Sequence, residues 1–341
     1  MTSSIQKVSI VIPTYDRPDA LATCLQSLIA QRADFAIEII IVDNHPETGI
    51  TPPVVARYAG VRCLSEARQG ISYARNTGIR NAEGEIIVAT DDDITAPPGW
   101  IAALVMPFER PEISAVTGNI LPISLEKRAE RLFEAYTSMK RDDQPRLFER
   151  AWLKSKGWHL APLWEIGMTA NAAFRATVFR DPRVGLLDEA LGAGSPTGAF
   201  EDLYCFYKML HADYRLEYAP SGWLYHAHRH DMQGLYRQLK SYRRGESAFY
   251  LLLFLRHGDW RALMQLIIWL PAQRCLVLCK ELKRRRNGRK LLPFRLIWHE
   301  NISYLLGPFA LWKSLRRVQQ VGVSEPLTAP STPPNAQEDH P

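Results

Sequence analysis

Residues 84–95 read Gly84-Glu85-Ile86-Ile87-Val88-Ala89-Thr90-Asp91-Asp92-Asp93-Ile94-Thr95. The apolar part is short and rich in β-branched residues, and turn residues bound it on both sides, so it predicts a buried parallel strand. The three aspartates then lie at the carboxyl end of that strand, where ligands bind in open α/β sheets. Adjacent carboxylates repel one another unless a cation compensates them, and hard oxygen ligands suit Mg²⁺ or Mn²⁺. A solvated acidic turn is the simpler alternative.

Further apolar runs surround this strand and alternate with segments of helical periodicity. A strand followed by a helix and another strand predicts a parallel unit, and a succession of such units predicts a doubly wound, mostly parallel α/β sheet. The predicted strands are residues 8–13, 37–43, 61–64 and 113–120, and the predicted helices are residues 18–31, 51–58, 70–82 and 100–108.

After residue 121 the pattern is weaker. We predict a loop-rich insert over 142–160 and a mobile glycine-rich loop over 192–198. The other predicted elements are helices over 124–140 and 201–211 and strands over 169–175 and 214–218. The last strand leads to three closely spaced histidines, His226, His228 and His230.

The composition is typical of a globular protein with a basic carboxyl-terminal region. The chain has 341 residues, 46% hydrophobic and 23% charged, and its net charge of +6 is uneven, because residues 240–320 contain 17 Lys and Arg against four Asp and Glu. Five cysteines without metal-site or disulfide spacing favour a reducing compartment. We expect no signal peptide, since the polar first residues lead directly into a strand.

The basic region favours a membrane surface over nucleic acid as its partner. Tryptophans and short apolar runs alternate there with Lys and Arg, which is typical of helices that lie in a membrane interface, and no known nucleic-acid-binding module is recognisable. No uninterrupted apolar run approaches the roughly 20 residues that a spanning helix needs. The alternative is an ordinary helical subdomain that packs on the rest of the chain.

Polar residues recur where the predicted strands end. Pro13, Thr14 and Tyr15 follow the first strand, with Arg17 close behind, and Asp43 ends the second. A parallel sheet brings these positions to the edge that carries the three aspartates. Asp43 could accept a hydrogen bond from the imide N–H of a uracil ring, and Arg17 could contact phosphate. Each also has an ordinary alternative as a turn or helix-start residue.

A second specific motif is Gln69-Gly70-Ile71-Ser72-Tyr73-Ala74-Arg75-Asn76-Thr77-Gly78-Ile79-Arg80. Together with Ile10-Val11-Ile12-Pro13-Thr14-Tyr15-Asp16-Arg17-Pro18, Ile41-Val42-Asp43-Asn44 and the triple aspartate, it resembles the family 2 glycosyltransferases of the GT-A fold. The nearest kin in pattern add one sugar to a bacterial exopolysaccharide or lipid-linked oligosaccharide. The resemblance covers about residues 5–245, with four motifs in the family's order.

The resemblance implies roles for the residues at the strand ends. Asp43 would hold the base, and Asp92 and Asp93 would be the working pair that binds Mg²⁺ or Mn²⁺, with Asp91 nearer the ribose and His226 as a further metal ligand. The residues assigned to nucleotide-sugar binding are Pro13, Thr14, Tyr15, Arg17, Asp43, Arg75, Asn76, Asp91, Asp92 and Asn171.

An inverting transfer also needs a base that removes the proton of the acceptor hydroxyl as the diphosphate leaves. The run Phe200-Glu201-Asp202-Leu203-Tyr204 matches the family's Glu-Asp pair, which implies that Asp202 is that base and Glu201 the next candidate. Acids in the first turn of a helix are also favoured by the helix dipole.

Three other roles have alternatives. Arg75 could form a structural salt bridge to an acid of the triple aspartate instead of supporting the base or ribose. Asn171 resembles the family's acceptor-side motif and would bond the donor sugar or the acceptor. His228 and His230 compete with His226 as the metal ligand.

The resemblance predicts an inverting, metal-dependent glycosyltransferase that moves one sugar from a nucleotide-diphospho-sugar, with a preference for UDP, to a saccharide hydroxyl. The acceptor is expected to be lipid-linked, in cell-surface polysaccharide synthesis. A GT-A-like nucleotidyltransferase would instead need a glycine-rich loop after the first strand, and an inactive nucleotide-sugar-binding protein is a further alternative. A processive synthase would carry a Gln-x-x-Arg-Trp motif, which residues 238–242 do not supply.

We divide the chain into a GT-A nucleotide-sugar-binding and catalytic domain over 1–240, a basic amphipathic helical region over 241–320 and a disordered tail over 321–341. The expected location is the cytoplasm, with peripheral attachment to the inner face of the plasma membrane. The expected partners are the donor, the saccharide acceptor and an anionic membrane surface, but not nucleic acid.

Overall fold

One mixed β-sheet organises the molecule. The structure, a computed structural model, describes residues 5–286 and 293–327. The strands within these ranges are β1 (Lys7–Thr14), β2 (Ala36–Asp43), β3 (Val61–Ser65), β4 (Ile86–Thr90), β5 (Ile94–Thr95), β6 (Ile113–Pro122), β7 (Arg146–Phe148), β8 (Asn171–Arg175) and β9 (Arg215–His226). They pair in the order β3-β2-β1-β4-β8-β6-β9-β5, and β7 pairs with β9.

The sheet is mostly parallel and brings the strand ends that carry the predicted site residues to one edge. β1 to β4 run parallel, and β8 is antiparallel to both of its neighbours, β4 and β6. The register places Thr14 beside Asp43 and Thr90 beside Asn171. His226, at the end of β9, pairs with Ile94 just after the triple aspartate. The predicted mostly parallel α/β sheet is therefore confirmed.

Helices cover both faces of this sheet. They are α1 (Pro18–Ile29), α2 (Thr51–Val55), α3 (Ile71–Asn81), α4 (Trp100–Val105), α5 (Arg128–Thr137), α6 (Arg150–Lys154), α7 (Glu201–His211), α8 (Met232–His257), α9 (Trp260–Met264), α10 (Leu270–Arg286), α11 (Phe294–Leu305) and α12 (Gly307–Val321). In β1, Val8, Ile10 and Ile12 are buried in one core and Val11 in the other. A strand buried on both faces reads as a continuous apolar run, which explains the sequence of β1.

The predicted elements are present with shifted boundaries. The largest difference is the last strand, predicted over 214–218, because β9 continues to His226 by pairing with β6 across irregularities in register. The predicted insert over 142–160 contains β7 and α6, and the helix predicted over 124–140 is confined to α5.

The predicted boundary at residue 240 falls inside α8, which runs unbroken from Met232 to His257. The division into regions stays a prediction. Residues 322–327, in the predicted disordered tail, follow α12 and contact the body, since the amide of Ser324 donates to Glu189 Oε1 over 3.0 Å. The remainder of that tail, 328–341, and residues 287–292 lie outside the described ranges.

The expectation that no apolar segment is long enough to span a membrane is corrected by the structure. α9, a π-helical segment (Gln265–Trp269) and α10 form one helix, Trp260–Arg286, that is long and apolar enough by length and composition. Two charged residues interrupt its apolar sequence, and both form ion pairs within the protein: Arg261 pairs with Asp259, and Arg274 is buried against Glu300. A single such helix is weak evidence for spanning, but only 28% of its most apolar window is buried.

A buried ionic network fastens these helices to the body. Glu300 on α11 is fully buried and accepts from Arg243 on α8, Arg274 on α10 and the hydroxyl of Tyr136 on α5. Two guanidinium groups thus compensate a carboxylate that would be costly to bury alone. Four helices meet at this one side chain.

Exposed apolar side chains are concentrated in the carboxyl-terminal helices. Of the 26 exposed large hydrophobic residues described, 16 lie between Leu255 and Val323, far more than this part of the chain would carry by length alone. We call these 16 residues the exposed apolar set. Large apolar exposure in one region marks an interaction surface.

Asn171 is a structural residue at the centre of the sheet. It is fully buried, its amide nitrogen donates to the carbonyls of Asn119 (2.9 Å) and Gly222 (2.8 Å), and its oxygen accepts from Trp100 Nε1 (3.0 Å). All of its bonding groups are occupied, and it does not line the cavity described below. The structure therefore does not place it where it could bond a sugar.

Replacing Asn171 by Ala should lower the free energy of unfolding, because each buried partner left unsatisfied costs about 1–3 kcal/mol. Chemical denaturation measures this loss. The control is Asn81→Ala, at an exposed position at the end of α3. Equal stability of the two variants would contradict the structural role.

Candidate functional site

A large cavity lies over the edge where the strands end. Its volume is about 1360 Å³. The strand-end residues that line it are Pro13, Thr14, Tyr15, Arg17, Asp91, Asp92, Asp93 and His226. α3 contributes Arg75, and the start of α7 contributes Glu201 and Asp202. Residues that are as much as 213 positions apart in the chain are thus brought to one cavity by the sheet.

Asp91, Asp93 and His226 form the group that could hold a metal ion. One donor atom from each lies within 4.8 Å of the others. His226 Nε2 lies 3.1 Å from Asp93 Oδ1 and 3.9 Å from Asp91 Oδ2. Two carboxylates and one imidazole suit a divalent ion such as Mn²⁺.

Asp92, predicted as a metal ligand, lies outside this group. Its Oδ2 accepts from the hydroxyl of Thr14 (2.8 Å) and its Oδ1 from Arg17 (3.0 Å). Successive residues in the turn after β4 direct their carboxylates differently, so the metal group contains the first and third aspartates. The group contains the predicted ligands Asp93 and His226 and adds Asp91. The predicted roles of Asp92 as a ligand and of Asp91 near the ribose stay predictions.

Arg17 forms ion pairs with two of the aspartates, Asp92 and Asp93. The same guanidinium nitrogen that contacts Asp92 lies 2.8 Å from Asp93 Oδ2. Its side chain is 34% exposed, and it lines the cavity. It therefore remains placed to meet a phosphate.

Arg75 ties the end of β4 to the start of α7. Its guanidinium is buried and bonds Asp91 Oδ1 at 2.6 Å and Glu201 Oε1 at 2.7 Å. The alternative of a structural salt bridge to the triple aspartate is thus what the structure shows. The predicted contact of Arg75 with base or ribose stays a prediction.

Negative charge is in excess at this end of the cavity. Five carboxylates, those of residues 91, 92, 93, 201 and 202, face the imidazole of His226 and three guanidinium groups, those of Arg17, Arg75 and Arg229. Burial raises the pKa of Glu201, and the charge of Asp202 adds to this, so that together they outweigh the attraction of Arg75. An added divalent cation would relieve this repulsion.

The adjacent carboxyl groups of Asp92 and Asp93 have opposed pKa shifts. Burial raises the pKa of Asp92 despite Arg17. Burial acts in the same sense on Asp93, but His226 and Arg17 hold the pKa of that carboxyl below its usual range. Asp93 is therefore ionised and ready to bind a cation across the physiological pH range.

Asp202 is the second residue of α7 and lines the cavity. Burial raises its pKa, while the backbone amide of Leu203 donates to its Oδ1 over 2.8 Å. The preceding Phe200 has φ of 80°, a left-handed conformation that is uncommon for a phenylalanine. Its ring packs against Phe249 of α8, and a side chain at Gly245 would come within 3.1 Å of that ring. This strained residue aims the start of α7 at the cavity.

Beside the aspartates, the wall of the cavity is shaped by the ends of β1 and β2. Tyr15 stacks on His45 with centroids 4.7 Å apart, and its hydroxyl accepts from Gln69 (3.1 Å). Asp43 is buried behind this wall beside Thr14 and is not among the lining residues, but its Oδ2 has no partner among the described residues.

Asn76 is not brought to the cavity. It is fully buried and exchanges hydrogen bonds with the backbone of Leu187, and its amide also donates to Glu189 Oε1 (2.9 Å). Its bonding groups are therefore occupied by the segment that precedes α7. The prediction that it supports base or ribose is not supported by this placement.

The structure adds cavity residues that the sequence reasoning missed. Arg141, Arg237 and Lys280 line the part of the cavity bordered by α5, α8 and α10. No carboxylate of residues 5–286 or 293–327 lies at ion-pair distance from them. Their only signal in the sequence is the basic balance of the carboxyl-terminal region, because isolated cations form no motif.

The sequence is similar to a known protein family and to proteins of known sequence. The family model described as "Glycosyl transferase family 2" matches residues 9–180, half of the chain. The sequence is 29% identical to "Uncharacterized glycosyltransferase YfnE" of Bacillus subtilis over 44% of this chain and 41% of that protein. It is 33% identical to "Glucosyl-dolichyl phosphate glucuronosyltransferase" of Haloferax volcanii over 36% of this chain and 41% of that protein. The chain thus spans about two fifths of these curated relatives.

A solved structure shares the fold. The mannosyltransferase PcManGT from Pyrobaculum calidifontis, in complex with GDP-Man and Mn²⁺, superposes with a TM-score of 0.50 over 93% of this chain and 76% of that chain. The two sequences are 20% identical, so the comparison supports the fold alone. The predicted GT-A type of sheet is confirmed by it.

Asp93→Asn and His226→Ala should each weaken Mn²⁺ binding by about tenfold or more, because each removes a ligand. Asp92→Asn should weaken it less, since its oxygens accept from Thr14 and Arg17. Titration followed by the electron paramagnetic resonance signal of free Mn²⁺ measures the affinity. The control is Asp19→Asn, at an exposed position on α1. A larger loss at Asp92 than at Asp93 would restore the predicted ligand pair.

Proposed function

Because the chain belongs to glycosyl transferase family 2, we propose that it transfers one sugar, with inversion, from a nucleotide-diphospho-sugar to a hydroxyl of a lipid-linked saccharide in cell-surface polysaccharide synthesis. Family membership confirms the predicted family and class of enzyme. The donor, the acceptor, the metal and the membrane surface go beyond that membership.

The observation that carries the proposal is the convergence of three kinds of group on one cavity. Pro13, Thr14 and Tyr15 line its nucleoside end, the metal group lies at its centre, and Asp202 opens into it from α7. A nucleotide sugar and an acceptor hydroxyl would therefore meet within reach of a base and a cation.

Asp202 is the group that would receive the proton. The acceptor oxygen attacks the anomeric carbon, the bond from that carbon to the diphosphate oxygen breaks, and the hydroxyl proton passes to the carboxylate. Its raised pKa makes Asp202 a stronger base than an ordinary aspartate. Glu201 is less suited, because Arg75 occupies one of its oxygens at 2.7 Å.

Asp91, Asp93 and His226 would hold the metal. The chemistry that a bound divalent ion supplies is stabilisation of the charge on the departing diphosphate. An imidazole in the ligand set favours Mn²⁺ over Mg²⁺, which prefers oxygen ligands. Arg17 would add a second positive charge when a diphosphate displaces it from the aspartates.

A uridine base is supported by Asp43. Its Oδ2 is buried and without a partner among the described residues, so it would gain a hydrogen bond from the N–H of a uracil ring. Its position behind the cavity wall requires the base to enter beside Thr14, its register neighbour on β1. UDP-sugars are accordingly the proposed donors.

An anionic acceptor is supported by the far part of the cavity. Arg141, Arg237 and Lys280 line it, whereas the neighbouring Arg243 is neutralised by Glu246 and Glu300. Asp231 also lines the cavity and offsets one of these charges, because the amide of Gly234 donates to its carboxylate and keeps its pKa low. The remaining positive charge would attract the phosphate of a lipid carrier.

The membrane surface is supported by the exposed apolar set. Trp298 and Leu305 of α11 are 59% and 72% exposed, and Leu276 of α10 is 58% exposed. Leu276 also lines the far part of the cavity, beside Lys280. Apolar side chains mixed with basic ones are typical of helices that lie in a membrane interface. Such contact would present the far end of the cavity to a lipid carrier.

A donor screen with the full chain tests the proposed reaction. We expect hydrolysis or transfer of one UDP-sugar among a panel of UDP- and GDP-sugars, faster with Mn²⁺ than with Mg²⁺. Asp202→Asn should retain UDP binding by calorimetry and lose about 10²- to 10⁴-fold in turnover. Binding without turnover in the wild type would favour an inactive nucleotide-sugar-binding protein, and preference for a GDP-sugar would refute the role of Asp43.

The full chain should bind anionic phospholipid vesicles at low salt and less at high salt, since basic residues accompany the apolar ones. Trp298→Glu combined with Leu305→Glu should reduce the bound fraction in vesicle sedimentation. Met106→Glu, at a 57% exposed position on the catalytic body, is the control. A wild-type protein that ignores anionic vesicles at low salt would refute the membrane surface.

A further inference from the structure

The loop that leads into α7 is fastened to α3 on one side. Residues 187–200 precede the proposed base, and Gly194 and Gly198 line the cavity. The hydroxyl of Ser72 donates to the carbonyl of Leu191 over 3.0 Å, and the amide of Ile71 donates to that of Ala193 over 2.8 Å. Because the loop ends in a strained backbone conformation, its position depends on such outside contacts.

α12 fastens the same loop from the other side. Ser314 is fully buried, and its hydroxyl donates to the carbonyl of Ala190 over 2.7 Å. Arg317 donates to the carbonyl of Gly194 over 2.9 Å and also to the carbonyl of Gln69. Gln69 lies at the nucleoside end of the cavity. One side chain of the carboxyl-terminal helix thus joins two loops that border the cavity, without lining it.

α12 is itself docked on the body. At its start, a side chain on Gly307 would come within 2.4 Å of Ser247 Cβ, so the backbone of α12 lies directly against α8. Leu311 is buried in the core. Past its end, the amide of Ser324 donates to Glu189, at the start of the same loop. α12 is therefore anchored to the body near both of its ends, and it can restrict the position of the loop that it contacts.

The other side of α12 belongs to the exposed apolar set. Phe309 and Trp312 are 60% and 47% exposed and stack on each other at 5.4 Å. The helix therefore carries apolar residues open to a surface and polar residues that hold the cavity loop.

We propose that Arg317 is a positioning residue for sugar transfer. Together with Ser314 it forms what we call the loop clasp, which holds residues 190–198 against the loop at Gln69 so that Asp202 stays aimed at the acceptor and water is kept out. The proposal rests on the proposed function.

The chemistry of the clasp requires an arginine. A guanidinium presents several N–H donors in a rigid fork, so it can serve two carbonyls at once, whereas a lysine ammonium is a single flexible point charge. Arg317→Lys should therefore resemble Arg317→Ala. If Arg317 only fastened α12 to the body, its loss would lower stability without changing how the loop excludes water.

The test compares Arg317→Ala and Arg317→Lys with Arg316→Ala in the full chain. Arg316 is the adjacent cation, but it stacks on Trp312 at 4.1 Å and does not contact the loop. We expect amide hydrogen exchange of residues 192–198 to accelerate in both Arg317 variants. The rate of transfer should fall about tenfold, and the ratio of donor hydrolysis to transfer should rise, with the donor KM and the unfolding midpoint near wild type.

Equal exchange of the loop in all three variants would overturn the clasp, and so would a fall in the unfolding midpoint that accounts for the lost rate. Hydrogen exchange needs no substrate, so it decides the clasp even if the wild type turns over no nucleotide sugar. In that case the proposed function fails separately, and faster loop exchange in the Arg317 variants alone would still support the clasp.

Discussion

The buried guanidinium of Arg75 is the interaction on which the site depends. It touches both the acid at the end of β4, Asp91, and the acid at the start of α7, Glu201. Without its charge, the metal group and the proposed base would repel each other across a cavity that already has excess negative charge. Breaking a buried ion pair by removing one partner costs far more than the pair contributes, so this arrangement is fixed once the chain is folded.

The same interaction explains the motif around α3. Asn76, one position after Arg75, is bonded to Leu187, and Ser72 is bonded to Leu191. Arg75 lies between them and reaches Glu201. The motif is therefore the frame that holds the loop before α7, and its polar residues serve the protein's own backbone and side chains. The polar residues of this motif indicated a functional site in the sequence. Their identities alone could not show whether they contact a ligand or the protein's own groups.

The sequence predicted where the strands end, and hence which residues meet at one edge, because buried parallel strands have an unmistakable apolar pattern. It could not predict side-chain direction within a turn, and so it did not group Asp91, rather than Asp92, with Asp93 and His226. Asn171 was assigned to ligand binding because the residue type alone does not distinguish a buried structural asparagine from one that binds a ligand. Arg237 and Lys280 were missed because their meeting depends on how α8 and α10 pack, which leaves no local motif.

Negative and positive side chains are unevenly distributed along the cavity. Carboxylates and the metal group lie where the strands end, whereas cations with no ion-pair partner among the described residues come from α8 and α10. A diphosphate would be attracted to the first region once a cation is bound there, whereas the proposed anionic lipid carrier would be attracted to the second region without one. Because Leu276 in that second region is also exposed, apolar contact and electrostatic attraction act at the same place. Donor and acceptor would therefore enter through different regions, and the acceptor hydroxyl would reach the anomeric carbon from the side on which Asp202 lies.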